Sequence, residues 1–424
     1  MTHLVRPARP QDLAALPGIE EAADAVFAEH GIGPLPPGVA DVDELGRAAY
    51  VLVFGDPVVG FARLERVDGQ AHLEQLSVHP ASAGCGVGTA LLEASVEWAA
   101  RNGHEALTLC TFSDVPWNAP FYARHGFVEV GVLGPGLRAL RNTESRLGLD
   151  ALGRRVVLRR EVGPAAVLSD LAAGLTAALG SDLLGLYAHG SLVSGDFAPA
   201  RSDLDVLAVV TRPPDDAMLG SVAPTHAAIE QRHPAWRGRI EVETVARSTV
   251  AAYAVGQPSG QDGSGADAIM RISPGEALHL LPATRHRVVT WATVREKGRA
   301  LVGPAAAEVL PTVSERASRD ALLDHVRDWP AWVEGMRTTG AQSYAVLSMC
   351  RAWCAAVDGL QLSKRAAADR LAAQRPKDSD LVTWARDWWY SEGSDEDEGR
   401  FEDARYFVAR TSRDILDRAE PLGP

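Results

Sequence analysis

The clearest pattern of apolar and polar positions lies near the middle of the chain. Two apolar runs, residues 183–187 and 206–210, have the length and composition of buried strands. A Gly-Ser pair at 190–191 follows the first run, and Asp203 and Asp205 open the second. Because strand residues two apart project from the same face, we expect both carboxylates on one side of a sheet, close to the Gly-Ser turn.

A pair of aspartates at the start of a strand is, by itself, more often a solvated turn than a site. Here the Gly-Ser pair, its spacing and the two flanking apolar runs all agree. Hard divalent cations such as Mg²⁺ take carboxylate oxygens as ligands and share them with phosphates. The pattern therefore favours a metal and phosphate site at Asp203 and Asp205.

Periodicity elsewhere divides the chain into parts. Alternating apolar and polar positions predict strands, and apolar positions at helical spacing predict helices. Both patterns occur on each side of a Gly-Pro break at 163–164. The predicted strands lie at residues 72–78, 107–111 and 155–160, and the predicted helices at 89–100, 165–179 and, with few breaks, from 315 onward. The domains that follow from this are residues 1–162, 163–310 and 311–424.

Length and composition fit this division and limit the function. A chain of 424 residues, 46% of them apolar, is too long for one core. Its four cysteines form no C-x-x-C pair, which predicts a reducing, cytoplasmic location. The net charge of −13 argues against a nucleic-acid partner and suits cationic small molecules. No apolar run approaches the ~20 residues of a membrane span, so we expect no membrane partner.

The first domain carries a glycine-rich turn made by Gly84, Gly86 and Gly88. The turn lies between the strand at 72–78 and the helix at 89–100. Exposed amides and the dipole at the start of a helix attract a pyrophosphate, although a tight turn without a ligand has the same pattern.

Together with the block N-x-x-x-Y-x-x-x-G-F at 118–127, this turn resembles the GNAT acyltransferases, and the resemblance covers nearly the whole first domain. It implies that the turn holds the pyrophosphate of acetyl-CoA. It also implies a strand bulge that turns the amides of Leu76 and Val78 toward the cofactor. In this family pattern Asn118 joins the cofactor-binding residues, and Tyr122 protonates the departing thiolate.

Two further positions of the first domain bear on its activity. Glu74 is the candidate base for the acceptor amine, and a solvent-facing strand carboxylate is the equal alternative. Ala83 stands where the family usually carries Gln or Arg, which removes one pyrophosphate contact and leaves the amide cradle. This departure keeps open an acetyltransferase domain of unrelated or lost activity.

The later chain carries a second resemblance. The stretch 187–205 looks like the nucleotidyltransferase superfamily signature, and the helical block 344–368 is similar to the streptomycin/spectinomycin adenylyltransferases. The resemblance spans about residues 165–418. It implies a nucleotidyltransferase α/β domain followed by an all-helical domain. The expected fold class is therefore α/β plus all-α, with a mixed GNAT sheet in front.

Matching positions carry the roles of that family. The resemblance implies that the triphosphate of ATP is bound by Gly190, Ser191, Ser202, Arg351 and Lys364. It places Mg²⁺ on Asp203, Asp205 and Glu241, and Glu241 also takes the proton of the attacking hydroxyl. Glu243 is the alternative to Glu241. Trp389 is the residue expected to stack on adenine, although helix-core packing explains it equally well.

The family's acceptor-binding acids are missing. They stand shortly before the Arg351 helix, but the segment 337–342 has none, which leaves Asp328 and Glu334 upstream as the acids that could substitute. The expected function is a bifunctional antibiotic-modifying enzyme that transfers AMP from ATP to an aminoglycoside hydroxyl and acetyl from acetyl-CoA to an amine. A nucleotidyltransferase alone is the alternative. A non-enzymatic sensor of nucleotide or CoA fits poorly with three carboxylates arranged for a metal.

Overall fold

Two β-sheets and a C-terminal group of helices make up the structure. The computed structural model describes residues 5–36, 42–256, 267–391 and 393–419. Unit 1 comprises Met1–Val167 and Ile229–Arg237, and unit 2 comprises Leu168–Ala228 and Gly238–Pro424. The first division falls close to the predicted break at 163–164, and the predicted boundary at 310 stays a prediction.

A seven-stranded sheet in the order β1-β2-β3-β4-β5-β7-β6 forms the centre of unit 1. Its strands are β1 Val5–Pro7, β2 Tyr50–Phe54, β3 Gly60–Val67, β4 Gln70–Val78, β5 Ala106–Phe112, β6 Val128–Glu129 and β7 Arg155–Glu161. Its helices are α1 Leu16–Glu29, α2 Val42–Arg47, α3 Val87–Arg101, α4 Ala119–Arg124, α5 Pro135–Arg146 and α6 Leu149–Leu152. Strands β4 and β5 run parallel, and the other neighbours run antiparallel.

Helix α3 packs on this sheet because its apolar residues recur at helical spacing. Leu91, Leu92, Val96 and Ala99 are each at most 2% exposed. Burying a leucine side chain contributes roughly 1.5–3 kcal/mol, so this stripe fixes the helix on the sheet. The glycine-rich turn at the start of α3 is thereby held at the end of β4.

A six-stranded sheet in the order β12-β11-β10-β9-β8-β13 forms the α/β part of unit 2. Its strands are β8 Leu183–His189, β9 Leu204–Val210, β10 Ile240–Ala246, β11 Ala268–Ile272, β12 His279–Pro282 and β13 Arg299–Val302. The helices around it are α7 Pro164–Leu179, α8 Ser191–Ser194, α9 Asp216–Arg232, α10 Arg247–Ala254, α11 Arg287–Lys297 and α12 Ala306–Val309. Strands β9 and β10 run parallel, and the other neighbours run antiparallel.

The C-terminal region is helical throughout its described elements. Its helices are α13 Glu315–Trp332, α14 Thr339–Val357, α15 Lys364–Gln374, α16 Ser379–Tyr390 and α17 Phe401–Ala419. The side chains of Ser314, Thr338 and Ser363 accept backbone amides at the starts of α13, α14 and α15. Mixed sheets followed by this helical region confirm the expected fold class.

A segment from the second half of the chain completes unit 1. Ile229–Arg237 belongs to unit 1 by its contacts and contains a 3-10 turn, Pro234–Trp236. The Trp236 indole is 1% exposed, and its Nε1 donates to the carbonyl of Val162 at 2.8 Å. The sequence pattern did not predict this, because the segment lies far along the chain from the rest of the unit.

One helix among the described residues, Pro164–Asp182, is long and apolar enough to cross a membrane, by length and composition alone. The expectation that no apolar run approaches that length does not hold for this segment. A single such helix is weak evidence for a span, because the core helix of a globular protein passes the same test. Leu171 and Leu175, one helical turn apart, are 0% exposed.

We expect Trp236→Ala to destabilise unit 1 by about 3–5 kcal/mol, because it leaves a cavity in a close-packed core. Hydrogen exchange of the β5 and β7 amides in the full chain measures this loss. The control Trp236→Phe keeps most of the ring volume and should lose less. Equal exchange in Trp236→Ala and the wild type would contradict the place of this segment in the core of unit 1.

Candidate functional site

Three neighbouring strands of unit 2 bring a histidine and two carboxylates into one row. His189 on β8 pairs with Asp205 on β9, and Asp205 pairs with Glu241 on β10. Residues directly opposite each other on adjacent strands share a face of the sheet, so the row lies on one face. Asp203 lies two residues before Asp205, immediately before β9. The sheet register thus accounts for the predicted grouping of Asp203, Asp205 and Glu241.

The position of the Asp205 carboxylate requires a glycine at 190. Gly190 has φ +66° and ψ −145°. A Cβ at this position would lie 1.9 Å from Oδ2 of Asp205. Other residues avoid both this conformation and this contact. Gly190 therefore makes room for a carboxylate as well as for the turn into α8.

Burial and mutual repulsion act together on the two aspartates. Burial, followed by the charges of Glu241 and Asp203, raises the pKa of Asp205 to about 7. Burial also raises the pKa of Asp203 to about 6, and Glu241 adds to that shift. Lys364 opposes both shifts. The two carboxylates therefore concentrate negative charge that nearby cations must offset, as is typical of functional sites.

Cationic side chains of the helical region interact with these carboxylates. Lys364 is the first residue of α15, and its pKa is lowered to about 8 by burial and by Arg351 on α14, against the raising effect of Asp205. Its Nζ lies 4.2 Å from the ring centre of Trp389 and 4.7 Å from that of Tyr344. One face of Trp389 is thus in contact with Lys364, and the stacking of Trp389 on adenine stays a prediction.

Glu241 is paired with an arginine that the sequence analysis missed. Nε of Arg271 on β11 lies 3.3 Å from Oε1 of Glu241. Within the described ranges, no three His, Cys, Asp or Glu side chains form a group that could hold a metal ion. The donor chemistry still suits Mg²⁺, which commonly binds one or two carboxylates together with substrate phosphates. Asp203 and Asp205 meet that need, and the three-carboxylate assignment stays a prediction.

Glu243, the alternative to Glu241, is bound within the core. Glu243 is 3% exposed. Nε1 of Trp291 donates to Oε1 at 2.6 Å, and a guanidinium nitrogen of Arg287 lies 2.9 Å from Oε2. Both carboxylate oxygens therefore have partners. Glu241, whose side chain is 26% exposed, is the more accessible of the two glutamates.

The two serines of the motif lie in the loops that frame the carboxylates. Ser191 is the first residue of α8 and is partly exposed. Ser202 is 6% exposed, and its Oγ accepts the amide of Ala198 at 2.9 Å. Ser202 therefore stabilises the loop that leads to Asp203. Triphosphate binding by either serine stays a prediction.

In unit 1, the strand before the glycine-rich turn separates from its parallel neighbour. In the described sheet, β4 pairs with β5 through residues 71–73, and the pairing ends there. The register between β4 and β3 shifts at the same place, which leaves Glu74 as the extra residue of a bulge. The expected bulge is therefore present, and Glu74 lies on it.

Beyond the bulge, two backbone amides face the gap beside β4. The amide of His79 donates to the carbonyl of Val59 at 2.9 Å, so it points toward β3. Amide directions alternate along a strand, and the amides of Leu76 and Val78 therefore point away from β3. This geometry supports their predicted role, although binding of acetyl-CoA by these amides stays a prediction.

The glycine-rich turn needs glycine at two of its three positions. Gly84 and Gly86 have φ of +74° and +80°, and Gly86 is the N-cap of α3. A Cβ on Gly88 would meet Val78 at an ordinary 3.8 Å. The first two glycines are therefore required by the backbone, whereas a side chain at the third would make only ordinary contacts with Val78 and Phe121.

The predicted acid and base of unit 1 both have raised pKa values. Burial raises the pKa of Tyr122, which is 8% exposed and lies in the first turn of α4, where its amide donates to the carbonyl of Asn118 at 3.0 Å. Burial also raises the pKa of Glu74, and its Oε2 lies 3.7 Å from Nε2 of His72. Nδ1 of His72 lies 2.8 Å from Oγ1 of Thr108. Tyr122 thus remains a proton donor at neutral pH, and the raised pKa of Glu74, whose side chain is 39% exposed, suits it to accept a proton.

Sequence reasoning missed His189, Arg271 and His72. His189 precedes the Gly-Ser pair, but its place opposite Asp205 follows only from the strand register. Burial lowers its pKa to about 4, so it is neutral at pH 7. Arg271 has no local motif, and its strand position was not predicted. His72 lay within a predicted strand, where alternation alone gave it no role.

These features define a transferase in two parts. One has the glycine-rich turn and splayed strands of an acetyltransferase, and the other has the carboxylate row and helical cations of a nucleotidyltransferase. Residues 22–127 match the model of the Acetyltransferase (GNAT) family, and residues 308–414 match that of the Aminoglycoside adenylyltransferase, C-terminal domain. The chain therefore contains a GNAT acetyltransferase domain and an aminoglycoside adenylyltransferase C-terminal domain, which confirms both resemblances.

Solved structures are similar to each part. A spectinomycin adenyltransferase, AAD(9), from Enterococcus faecialis with ATP and spectinomycin is 15% identical, with 59% of this chain and 99% of that chain covered and a TM-score of 0.47. Rv2747 from Mycobacterium tuberculosis, in complex with CoA and NLQ, is 21% identical, with 37% and 98% covered and a TM-score of 0.29. A GCN5-related N-acetyltransferase from Rhodopseudomonas palustris is 23% identical, with 37% and 94% covered and a TM-score of 0.28.

We expect Asp205→Asn to stabilise the metal-free protein at pH 8, because the ionised carboxylate is buried beside Glu241 and Asp203. The pKa of Asp205 is raised from 3.8 to about 7, so the folded state binds this proton more readily than the unfolded state. The stability of the wild type therefore falls as the pH rises through that range. The thermal midpoint in EDTA should be higher for the variant at pH 8, and the gain should disappear near pH 4. A lower midpoint at pH 8 would contradict the repulsion.

Proposed function

We propose that unit 2 transfers AMP from ATP to a hydroxyl group of a cationic aminoglycoside. One observation carries this proposal: the sheet register groups the partly buried carboxylates of Asp205 and Glu241, and the charges of Lys364 and Arg351 from the helical region act on Asp205. The aminoglycoside adenylyltransferase C-terminal domain over residues 308–414 supports the class of acceptor.

Each group of unit 2 has a task in this reaction. When bound to Asp203 and Asp205, Mg²⁺ would offset charge on the phosphate oxygens. Glu241 accepts the proton of the acceptor hydroxyl, whose oxygen forms a bond to the α-phosphorus. The bond from that phosphorus to the bridging oxygen breaks in line, and pyrophosphate leaves with its charge offset by Lys364 and Arg351.

A cavity in unit 2 offers a place for the acceptor. Its volume is about 440 Å³, and its lining includes Asp328 and His286 together with Asp324, which pairs with the lining arginines Arg285 and Arg327. Asp328 pairs with Nε2 of His286 at 3.1 Å. Glu334 instead pairs with Arg405 at 3.7 Å, away from this lining. Asp328 is therefore the better candidate for the acids that the segment 337–342 lacks.

We also propose that unit 1 transfers an acetyl group from acetyl-CoA to an amine. The amides of Leu76 and Val78 and the GNAT match over residues 22–127 support this. Glu74 takes a proton from the acceptor amine, and the amine nitrogen forms a bond to the thioester carbonyl. The C–S bond breaks, and the departing thiolate takes its proton from Tyr122.

Ala83 favours a second candidate, a nucleotidyltransferase whose unit 1 has no acetyl transfer. Its methyl side chain supplies neither a charge nor a hydrogen bond to a pyrophosphate. Calorimetric titration of the full chain with acetyl-CoA distinguishes the two. A dissociation constant below about 1 mM supports the bifunctional proposal, and weaker binding supports the alternative.

We expect Asp205→Asn to abolish AMP transfer and to leave acetyl transfer unchanged, because the carboxylate belongs to unit 2 alone. Tyr122→Phe should lower acetyl transfer by ~10²–10⁴-fold and leave AMP transfer unchanged. Mass spectrometry of an aminoglycoside panel, first with ATP and Mg²⁺ and then with acetyl-CoA, measures both additions. AMP transfer that survives in Asp205→Asn would refute the site, and no added mass on any compound would refute the substrate class.

The two glutamates of β10 provide a matched pair. We expect Glu241→Gln to lower AMP transfer by ~10²–10⁴-fold with little change in stability, because it removes the proton acceptor. Glu243→Gln should instead lower the free energy of unfolding by roughly 1–3 kcal/mol, because it weakens the buried contacts of Arg287 and Trp291. Initial rates and denaturation curves check both. The reverse pattern would assign the base to Glu243.

A further inference from the structure

A single carboxylate links the turn after the Gly-Ser pair to the helical region within unit 2. Asp196 follows Gly195, whose φ of +74° ends the short helix α8. The amide of Asp196 donates to the carbonyl of Ser191 at 3.1 Å, so its backbone is fixed to the motif. Its side chain is only 9% exposed.

The carboxylate of Asp196 contacts two helices. Its Oδ2 accepts the backbone amide of Arg365 at 3.3 Å and the hydroxyl of Tyr390. Its Oδ1 lies 3.5 Å from Nε of Arg365. The guanidinium of Arg365 lies 4.0 Å from the ring centre of Tyr390, so the three side chains form one cluster. The contacts join the start of α15 to the end of α16.

This cluster lies one residue away from Lys364. A carboxylate at the first turn of a helix is favoured by the free amides and the dipole there. Lys364, the first residue of α15, also needs such support, because burial and Arg351 both disfavour its charge. Asp196 fixes the backbone next to Lys364 and adds a favourable charge after those of Asp205 and Asp203.

We propose that Asp196 is a positioning residue for nucleotidyl transfer, which holds the first turn of α15 so that the Lys364 ammonium stays beside Asp205. This rests on the proposed function of unit 2. Asp196 itself touches neither the nucleotide nor the reacting atoms in this role. Its effect passes through the amide of Arg365 and the hydroxyl of Tyr390. Small displacements of a positioned group cost as much as ~10²-fold in rate, so the contact bears directly on turnover.

The test uses Asp196→Asn and Tyr390→Phe, alone and combined, in the full chain. Asn has the shape of Asp but carries no charge, so it cannot replace the carboxylate in all three of its contacts. We expect kcat for AMP transfer to fall by ~10–100-fold in Asp196→Asn, with the KM of the acceptor unchanged. Tyr390→Phe should reduce kcat less, and the double variant should be no slower than Asp196→Asn, because the two residues act as a unit.

Hydrogen exchange supplies a readout that does not depend on turnover. The amides at the start of α15 should exchange faster in Asp196→Asn than in the wild type, without substrate. Asp369→Asn is the matched control. Asp369 lies on α15, the helix whose exchange is measured, and it pairs with Arg386 at 2.6 Å on an exposed surface. It should change neither the exchange nor kcat.

The outcomes separate this proposal from the function on which it rests. Unchanged exchange at the start of α15 in Asp196→Asn, or faster exchange with full kcat, would overturn the positioning role while the wild type still transfers AMP. A wild type that transfers AMP to no acceptor would instead overturn the proposed function. A fall in kcat that is equal in Asp196→Asn and Asp369→Asn would reduce the effect to a general loss of helix stability.

Discussion

Negative charge held partly out of water is the constraint on which unit 2 depends. Asp203 and Asp205 repel each other and Glu241, and burial strengthens the effect on both aspartates. Carboxylates with strongly raised pKa values are concentrated at functional sites. The neighbouring features follow from this. Gly190 gives the Asp205 carboxylate room, and Lys364 approaches from the helical region against its own cost of burial.

Unit 1 presents different groups at its candidate site. The gap beside β4 offers backbone amides, and the turn before α3 offers a helix start. The bulge at Glu74 both opens the gap and places the candidate base at its edge. The candidate site of unit 1 therefore depends on backbone conformation, and the amides there do not depend on the side chain at position 83.

The sequence allowed the local features of both sites to be predicted, because they depend on neighbouring residues. The Gly-Ser turn, the two aspartates and the glycine-rich turn were found from spacing and strand alternation. The choice between Glu241 and Glu243 was not accessible, because it depends on Arg287 and Trp291, which lie more than forty residues further on. The pairing of Arg271 with Glu241 could not be predicted for the same reason, because it depends on how β10 and β11 are aligned.

Trp236 has a consequence for how this chain is made. Unit 1 includes Ile229–Arg237, and Trp236 of this segment lies about 70 residues beyond the end of the first segment at Val167. A ribosome adding ~5–20 residues per second needs roughly 4–14 s to synthesise that interval. During this time the first segment of unit 1 has been synthesised, but the Trp236 indole that fills its core has not. The core of the first unit is therefore completed during synthesis only after β8 and β9, two of the six strands of the following sheet, have been translated.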